Sequence, residues 1–96
     1  NDTCPTTYTK TSNVSNCVVG NGCIIEGTVE NCVIGRNVVV KEGAVIKNSI
    51  IMPDALINKN VKMDKCVVDR LAIVTHIKAL NGSDHAPLYV KRGDRI

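Results

Sequence analysis

The chain has 96 residues, a net charge of +3 and 44% hydrophobic residues, yet it carries two Tyr and no Phe or Trp. This length supports one small domain, and 12 basic against 9 acidic residues scattered along it is too mild and mixed an imbalance to argue for nucleic acid. The scarcity of aromatics removes the stacking platforms used for single strands, and no apolar run approaches the roughly 18 residues of a membrane span.

Residues 1–13, "NDTCPTTYTKTSN", read as an extended lead-in without a repeat. A repeat then begins. The signatures "NCVVG", "NCVIG", "NSIIM" and "KCVVD" place Cys17, Cys32, Ser49 and Cys66 at steps of 15, 17 and 17 residues. Six residues beyond each stand Cys23, Val38, Ala55 and Ala72, and two further on Ile25, Val40, Ile57 and Val74. A third set follows with Thr28, Ala44 and Val61. Each unit therefore divides into three pieces of about six residues, the pattern of a parallel β-helix built from hexapeptide repeats. The runs "CVV", "VVV", "ALI" and "AIV" favour strand. Between them "GNG", "GRN", "KEG", "PDA" and "NKN" supply turn residues.

Three strands and three turns make one triangular coil, and coils stack with parallel strands about 4.8 Å apart. Alternation along each strand turns Cys17, Val19, Cys32, Ile34, Ser49, Ile51, Cys66 and Val68 inward. It leaves two apolar columns outside, Val18, Val33, Ile50 and Val67 on one side and Ile24, Val39, Leu56 and Ile73 on another. A third side, with Val29, Val45 and Lys62, is more mixed. Contiguous apolar stripes of this kind mark a partner surface; the plainer alternative is that β-branched residues are tolerated there as good strand formers. The expected architecture is all-β, about four coils over residues 14–80, with a cap over residues 81–96 that shields the last open sheet edge.

The five cysteines form no C-x-x-C pair and show no zinc spacing, which points to free thiols in a reducing cytosol. A bridge between stacked Cys17 and Cys32 would need Cβ atoms about 3.8 Å apart, against the roughly 4.8 Å of neighbouring strands. With no initiator Met and no signal peptide, the chain reads as a domain of a longer protein. No metal, cofactor or catalytic residue is expected. His76 and His85 are the two possible general bases for an acyltransferase, the rival activity of this fold class, but no partner residue can be named for either. "RGD" at residues 92–94 reads as a turn. "GNG" at residues 20–22 lacks the following helix of a dinucleotide loop. Glu26 and Glu30 read as a solvated edge.

"GCIIEGTVENCVI", "VKEGAVIKNSIIM" and the lead-in "YTKTSNVSNCVV" closely resemble the C-terminal domain of bacterial ADP-glucose pyrophosphorylase, also called glucose-1-phosphate adenylyltransferase. The likeness covers most of residues 8–74, and the ending "APLYVKRGDRI" looks most like the accessory glycogen-biosynthesis subunit GlgD. The resemblance implies a left-handed coil, against the usual hand of parallel crossovers. It implies a homo- or hetero-oligomer with the catalytic subunit, and control by phosphorylated metabolites. The family's reaction makes ADP-glucose and pyrophosphate from ATP and glucose 1-phosphate, and that chemistry lies in a nucleotidyltransferase domain outside these residues. Family members often carry a basic residue in the turn of "VIGRNVV". Arg36 stands there, and Arg36 and Lys41 are accordingly the candidates for contact with a phosphorylated effector; the alternative is a solvated turn.

Overall fold

The computed structural model describes residues 4–96, so the first three residues of the lead-in lie outside it. The described residues fold entirely as short strands and turns. The first turn of the coil holds β1 (Thr7–Tyr8), β2 (Asn13–Ser15) and β3 (Val18–Val19). The second holds β4 (Ile24–Ile25), β5 (Thr28–Glu30) and β6 (Val33–Ile34), and the third β7 (Val39–Val40), β8 (Val45–Lys47) and β9 (Ile50–Ile51). Then come β10 (Leu56–Ile57), β11 (Lys62–Asp64) and β12 (Cys66–Val68), and finally β13 (Ile73–Val74), β14 (Ala79–Asn81) and β15 (Leu88–Val90).

Every third strand pairs in parallel, giving three five-stranded sheets. The first sheet stacks β1, β4, β7, β10 and β13; the second β2, β5, β8, β11 and β14; the third β3, β6, β9, β12 and β15. Four full turns separate β1 from β13. The repeat thus reaches further than the sequence pattern suggested at both ends. Thr7 and Tyr8 of the lead-in pair with Ile24 and Ile25. In the tail, Leu88–Val90 pair with Cys66–Val68, and Arg95 bridges to Ile73. The residues read as a cap therefore continue the coil.

Strands this short reverse only if the corners are sharp. Two corners stack through nearly the whole coil in the left-handed backbone region. One is Asn16, Asn31, Asn48 and Lys65; the other is Gly22, Asn37, Asp54, Leu71 and Gly93, all with φ between 51° and 76°. Asn, Asp and Gly adopt this region readily, so they dominate both columns. Lys65 and Leu71 are the exceptions. Gly93 belongs to the second column, which makes "RGD" the last of its corners.

The core is three stacks of aliphatic side chains. Ile25, Val40, Ile57 and Val74 fill one, Ile34, Ile51 and Val68 a second, and Val29, Ile46, Met63 and Leu80 the third; all are buried. Each fully buried side chain of this size contributes about 1.5–3 kcal/mol. Layers this narrow leave no room for rings, which accounts for the lack of Phe and Trp.

The structure corrects the expectation for the third side. Val29 points into the core and is fully buried, while Thr28 pairs with Val45 and stands outside. The 15-residue step explains the slip. Ile25 and Thr28 are joined by Glu26 and Gly27 alone, where the next turn uses Lys41–Ala44 between Val40 and Val45. The corner between the first and second sheets has lost two residues there. Gly27, not Thr28, occupies the place of Ala44, and an added Cβ on Gly27 would meet the Ala44 carbonyl oxygen at 2.5 Å and that of Lys41 at 2.8 Å.

Candidate functional site

The repeated Cys and Ser serve the corner that leads into the third sheet. After each left-handed residue, the next side chain turns back and donates to the carbonyl two residues earlier. Cys17 donates to Ser15 at 3.0 Å, Cys32 to Glu30 at 3.0 Å and Ser49 to Lys47 at 2.7 Å. The same atoms accept from the coil above: the Cys32 amide donates to Cys17 Sγ at 3.4 Å and the Cys66 amide to Ser49 Oγ at 3.1 Å. A small donor–acceptor side chain at this place satisfies polar backbone groups next to an apolar core. Cys17, Cys23, Cys32 and Cys66 are free thiols. Burial pushes the Cys32 thiol up to about 11 and raises that of Cys66 as well. Both are held protonated and are unsuited to nucleophilic chemistry.

Outside this column runs a ladder of amides. Asn16 Nδ2 donates to Asn31 Oδ1 at 2.9 Å, Asn31 Nδ2 to Asn48 Oδ1 at 2.7 Å and Asn48 Nδ2 to Asp64 Oδ1 at 2.9 Å. The signal for the ladder was an Asn before three of the four Cys or Ser residues, although only their stacking shows that they bond one another.

The outward columns lie in register. Val18 pairs with Val33, Val33 with Ile50 and Ile50 with Val67 across the third sheet. Ile24 pairs with Val39, Val39 with Leu56 and Leu56 with Ile73 across the first. The two differ in openness: Val18, Val33 and Ile50 are 68, 50 and 45% exposed with Val67 half-buried, whereas in the other column Ile24 is 41% exposed and Val39, Leu56 and Ile73 are half-buried. Tyr89, the register partner of Val67, extends the third-sheet column and is itself exposed. Its hydroxyl donates to the Asp69 carboxylate, and this bond holds the Asp69 carboxyl below its usual range and raises the Tyr89 hydroxyl. The sequence marks "LYV" at residues 88–90 as strand-like but does not place Tyr89 in this column, because five extra residues delay its strand. The second sheet is polar outside, with Glu30, Lys47 and Asp64 as register partners of alternating charge.

Arg36 and Lys41 are not brought to one corner. Arg36 is exposed in the turn before β7 and Lys41 is half-buried in the turn after it, so they lie beyond opposite ends of this central strand of the first sheet. His76 and His85 are exposed in two different turns, one after β13 and the other between β14 and β15. Glu26 accepts the Glu42 amide at 3.2 Å, and Glu30 lies beside Lys47. Among the described residues no group of three or more His, Cys, Asp or Glu lies close enough to hold a metal ion. No helix among them is long and apolar enough to cross a membrane.

Comparison with known proteins agrees with this geometry. The family described as "GlmU-like, C-terminal hexapeptide" matches residues 3–86, in keeping with a left-handed β-helix of hexapeptide repeats. Glucose-1-phosphate adenylyltransferase of Bacillus cytotoxicus is 39% identical over 64 residues, which is 67% of this chain and 17% of that protein. The enzyme of the same name from Acetivibrio thermocellus is 41% identical over 58 residues, 60% of this chain and 14% of that protein. A third, from Bacillus thuringiensis, is 38% identical over 55 residues, 57% and 15% of the two chains. The chain spans about a sixth of the length of these relatives, and the similarity lies in their C-terminal region.

Proposed function

Because the chain belongs to the GlmU-like C-terminal hexapeptide family, we propose that it is the assembly and regulatory domain of a glucose-1-phosphate adenylyltransferase-type protein in cytoplasmic glycogen synthesis. It performs no chemistry itself. It holds a subunit in an oligomer with copies of itself or with a catalytic partner, in the manner of the accessory subunit GlgD, so that ADP-glucose formation from ATP and glucose 1-phosphate responds to a phosphorylated metabolite. The observation that carries the reading is the in-register apolar column Val18, Val33, Ile50 and Val67, of which the first three are exposed and Val67 is half-buried. Monomeric soluble proteins rarely expose such contiguous patches unless they engage a partner.

The test is the solution mass of the chain by light scattering over a concentration series. A dimer or larger species supports assembly through this domain. A monomer at every concentration removes self-assembly of the isolated domain and leaves association with the catalytic subunit to be tried by mixing the two. For the regulatory part, Arg36→Ala in the full-length protein with its catalytic partner is expected to blunt the effector response of ADP-glucose formation; an unchanged response removes Arg36 from that role.

A further inference from the structure

Besides the shortened corner at Gly27, the coil departs from its repeat at one lengthened corner. Between β11 and β12 the chain turns through Lys65 alone, but between their partners β14 and β15 it takes six residues, 82–87. The five additional residues stand out from the corner where the amide ladder ends. They close on themselves through the Ser83 and Ala86 amides, each donating to the other's carbonyl at 3.0 and 3.2 Å. Asp84 reaches back to Lys65 Nζ at 3.4 Å. Between this loop, the ladder and the edge of the third sheet lies an open groove of about 440 Å³, within the size range of small-molecule clefts.

The walls of the groove have a definite chemistry. Its floor is aliphatic, formed by Ile50, Val67 and Pro87. Its rim is polar, formed by Asn31, Asn48, Ser83 and the Lys65–Asp84 pair. A primary amide offers two donors and two acceptor lone pairs. Within the ladder Asn31 and Asn48 each give one N–H and receive one, so each keeps a donor and an acceptor in hand. Lys65 and Asp84 neutralise one another, which leaves the rim without the net positive charge that a phosphate requires. No aromatic ring lines the groove, so nothing is present for a nucleobase to stack on.

We propose that this groove binds a neutral polyhydroxylated ligand, a short oligosaccharide, with C–H faces of the sugar on Ile50, Val67 and Pro87 and hydroxyls on Asn31, Asn48, Ser83 and Asp84. The floor shares Ile50 and Val67 with the third-sheet column, so a sugar in the groove and a subunit seated on that column exclude one another, and the sugar binds the chain whose column is uncovered. Being shallow and open, it binds weakly, with a dissociation constant on the order of 1 mM, about −4 kcal/mol.

The test is an NMR titration of the isotope-labelled chain with maltoheptaose, with cellohexaose and inorganic phosphate titrated separately. Saturable shifts of the Asn31 and Asn48 side-chain amides and of residues 65–67 and 82–88, with one of the sugars, are the expected result. Asn48→Gly keeps the left-handed corner open to the backbone, and Asp84→Ala changes an exposed loop residue; each is expected to weaken the sugar shifts by about fivefold or more. Absence of saturable shifts with both sugars overturns the proposal. So does a response to phosphate alone, which would make this an anion site, and so does sugar binding that both variants leave unchanged.

Discussion

Gly27→Ala isolates the steric demand of the shortened corner. The added Cβ would lie 2.5 Å from the Ala44 oxygen and 2.8 Å from the Lys41 oxygen. Both are backbone atoms, so no rotamer change relieves the contact, and the coils must part by several tenths of an ångström. Overpacking of this kind costs about 1–3 kcal/mol. The displaced atoms also carry hydrogen bonds: the Thr28 amide donates to Ala44 at 2.8 Å and the Asn13 amide to Gly27 at 3.0 Å. Weakening these adds about 0.5–1.5 kcal/mol each, for a total of about 2–6 kcal/mol. At roughly 4–8 °C per kcal/mol for a chain of this size, thermal unfolding followed by circular dichroism should move down by at least about 8 °C. Gly93→Ala is the control. Nothing lies within 4 Å of its added Cβ, but its φ is +73°, so only the left-handed backbone is penalised, by about 1–2 kcal/mol. If Gly27→Ala costs no more than Gly93→Ala, the reading of the shortened corner as a close backbone contact is refuted.

Lys65→Asn should stabilise the chain by about 1 kcal/mol, because Asn tolerates φ 57° better than Lys and loses only an exposed ion pair; a lower urea midpoint for the variant would count against it. Stability should fall as pH rises from about 9 toward 11. The buried Cys32 thiol keeps its proton up to about 11, whereas an unfolded thiol loses it near 8.5, so the unfolded state binds fewer protons and gains on the native one. The effect is on the order of 2 kcal/mol, and Cys66, raised in the same direction, adds to it. Urea midpoints at pH 8 and 10.5 for the chain and for Cys32→Ser check this, since Ser already fills the place at Ser49; equal slopes would remove Cys32 as the cause. Ile50→Lys, at the centre of the third-sheet column, should abolish any self-association seen by light scattering with a change in monomer stability below about 1 kcal/mol, and persistence of the oligomer would move the interface elsewhere.

Much of this molecule is legible one strand at a time. The inward and outward assignments of Val18–Val19, Val33–Ile34, Ile50–Ile51 and Val67–Val68 agree with the register of the third sheet, because alternation is a local property of the strand. The ends were harder to see. Thr7–Tyr8 carries no Val or Ile, and Leu88–Val90 is displaced by the loop ahead of it, so neither resembles its neighbours in sequence although each pairs with them in space. The position of Val29 failed for a related reason: a step of 15 residues says that two are missing but not which corner lost them.

The sequence by itself determined the parallel coil, the aliphatic core without rings and the small polar-capable residue at one corner. Each of these follows from residue type repeated at a fixed interval. The tertiary structure decided what depends on one coil lying on the next: the deletion at Gly27, the amide ladder, the protonated state of Cys32, and the separation of Arg36 from Lys41 across the first sheet. It also created the groove beside residues 82–87, whose walls come from four successive turns. The physical reason is that stacking places residues about 17 apart in sequence within hydrogen-bonding distance, a relation no local pattern expresses.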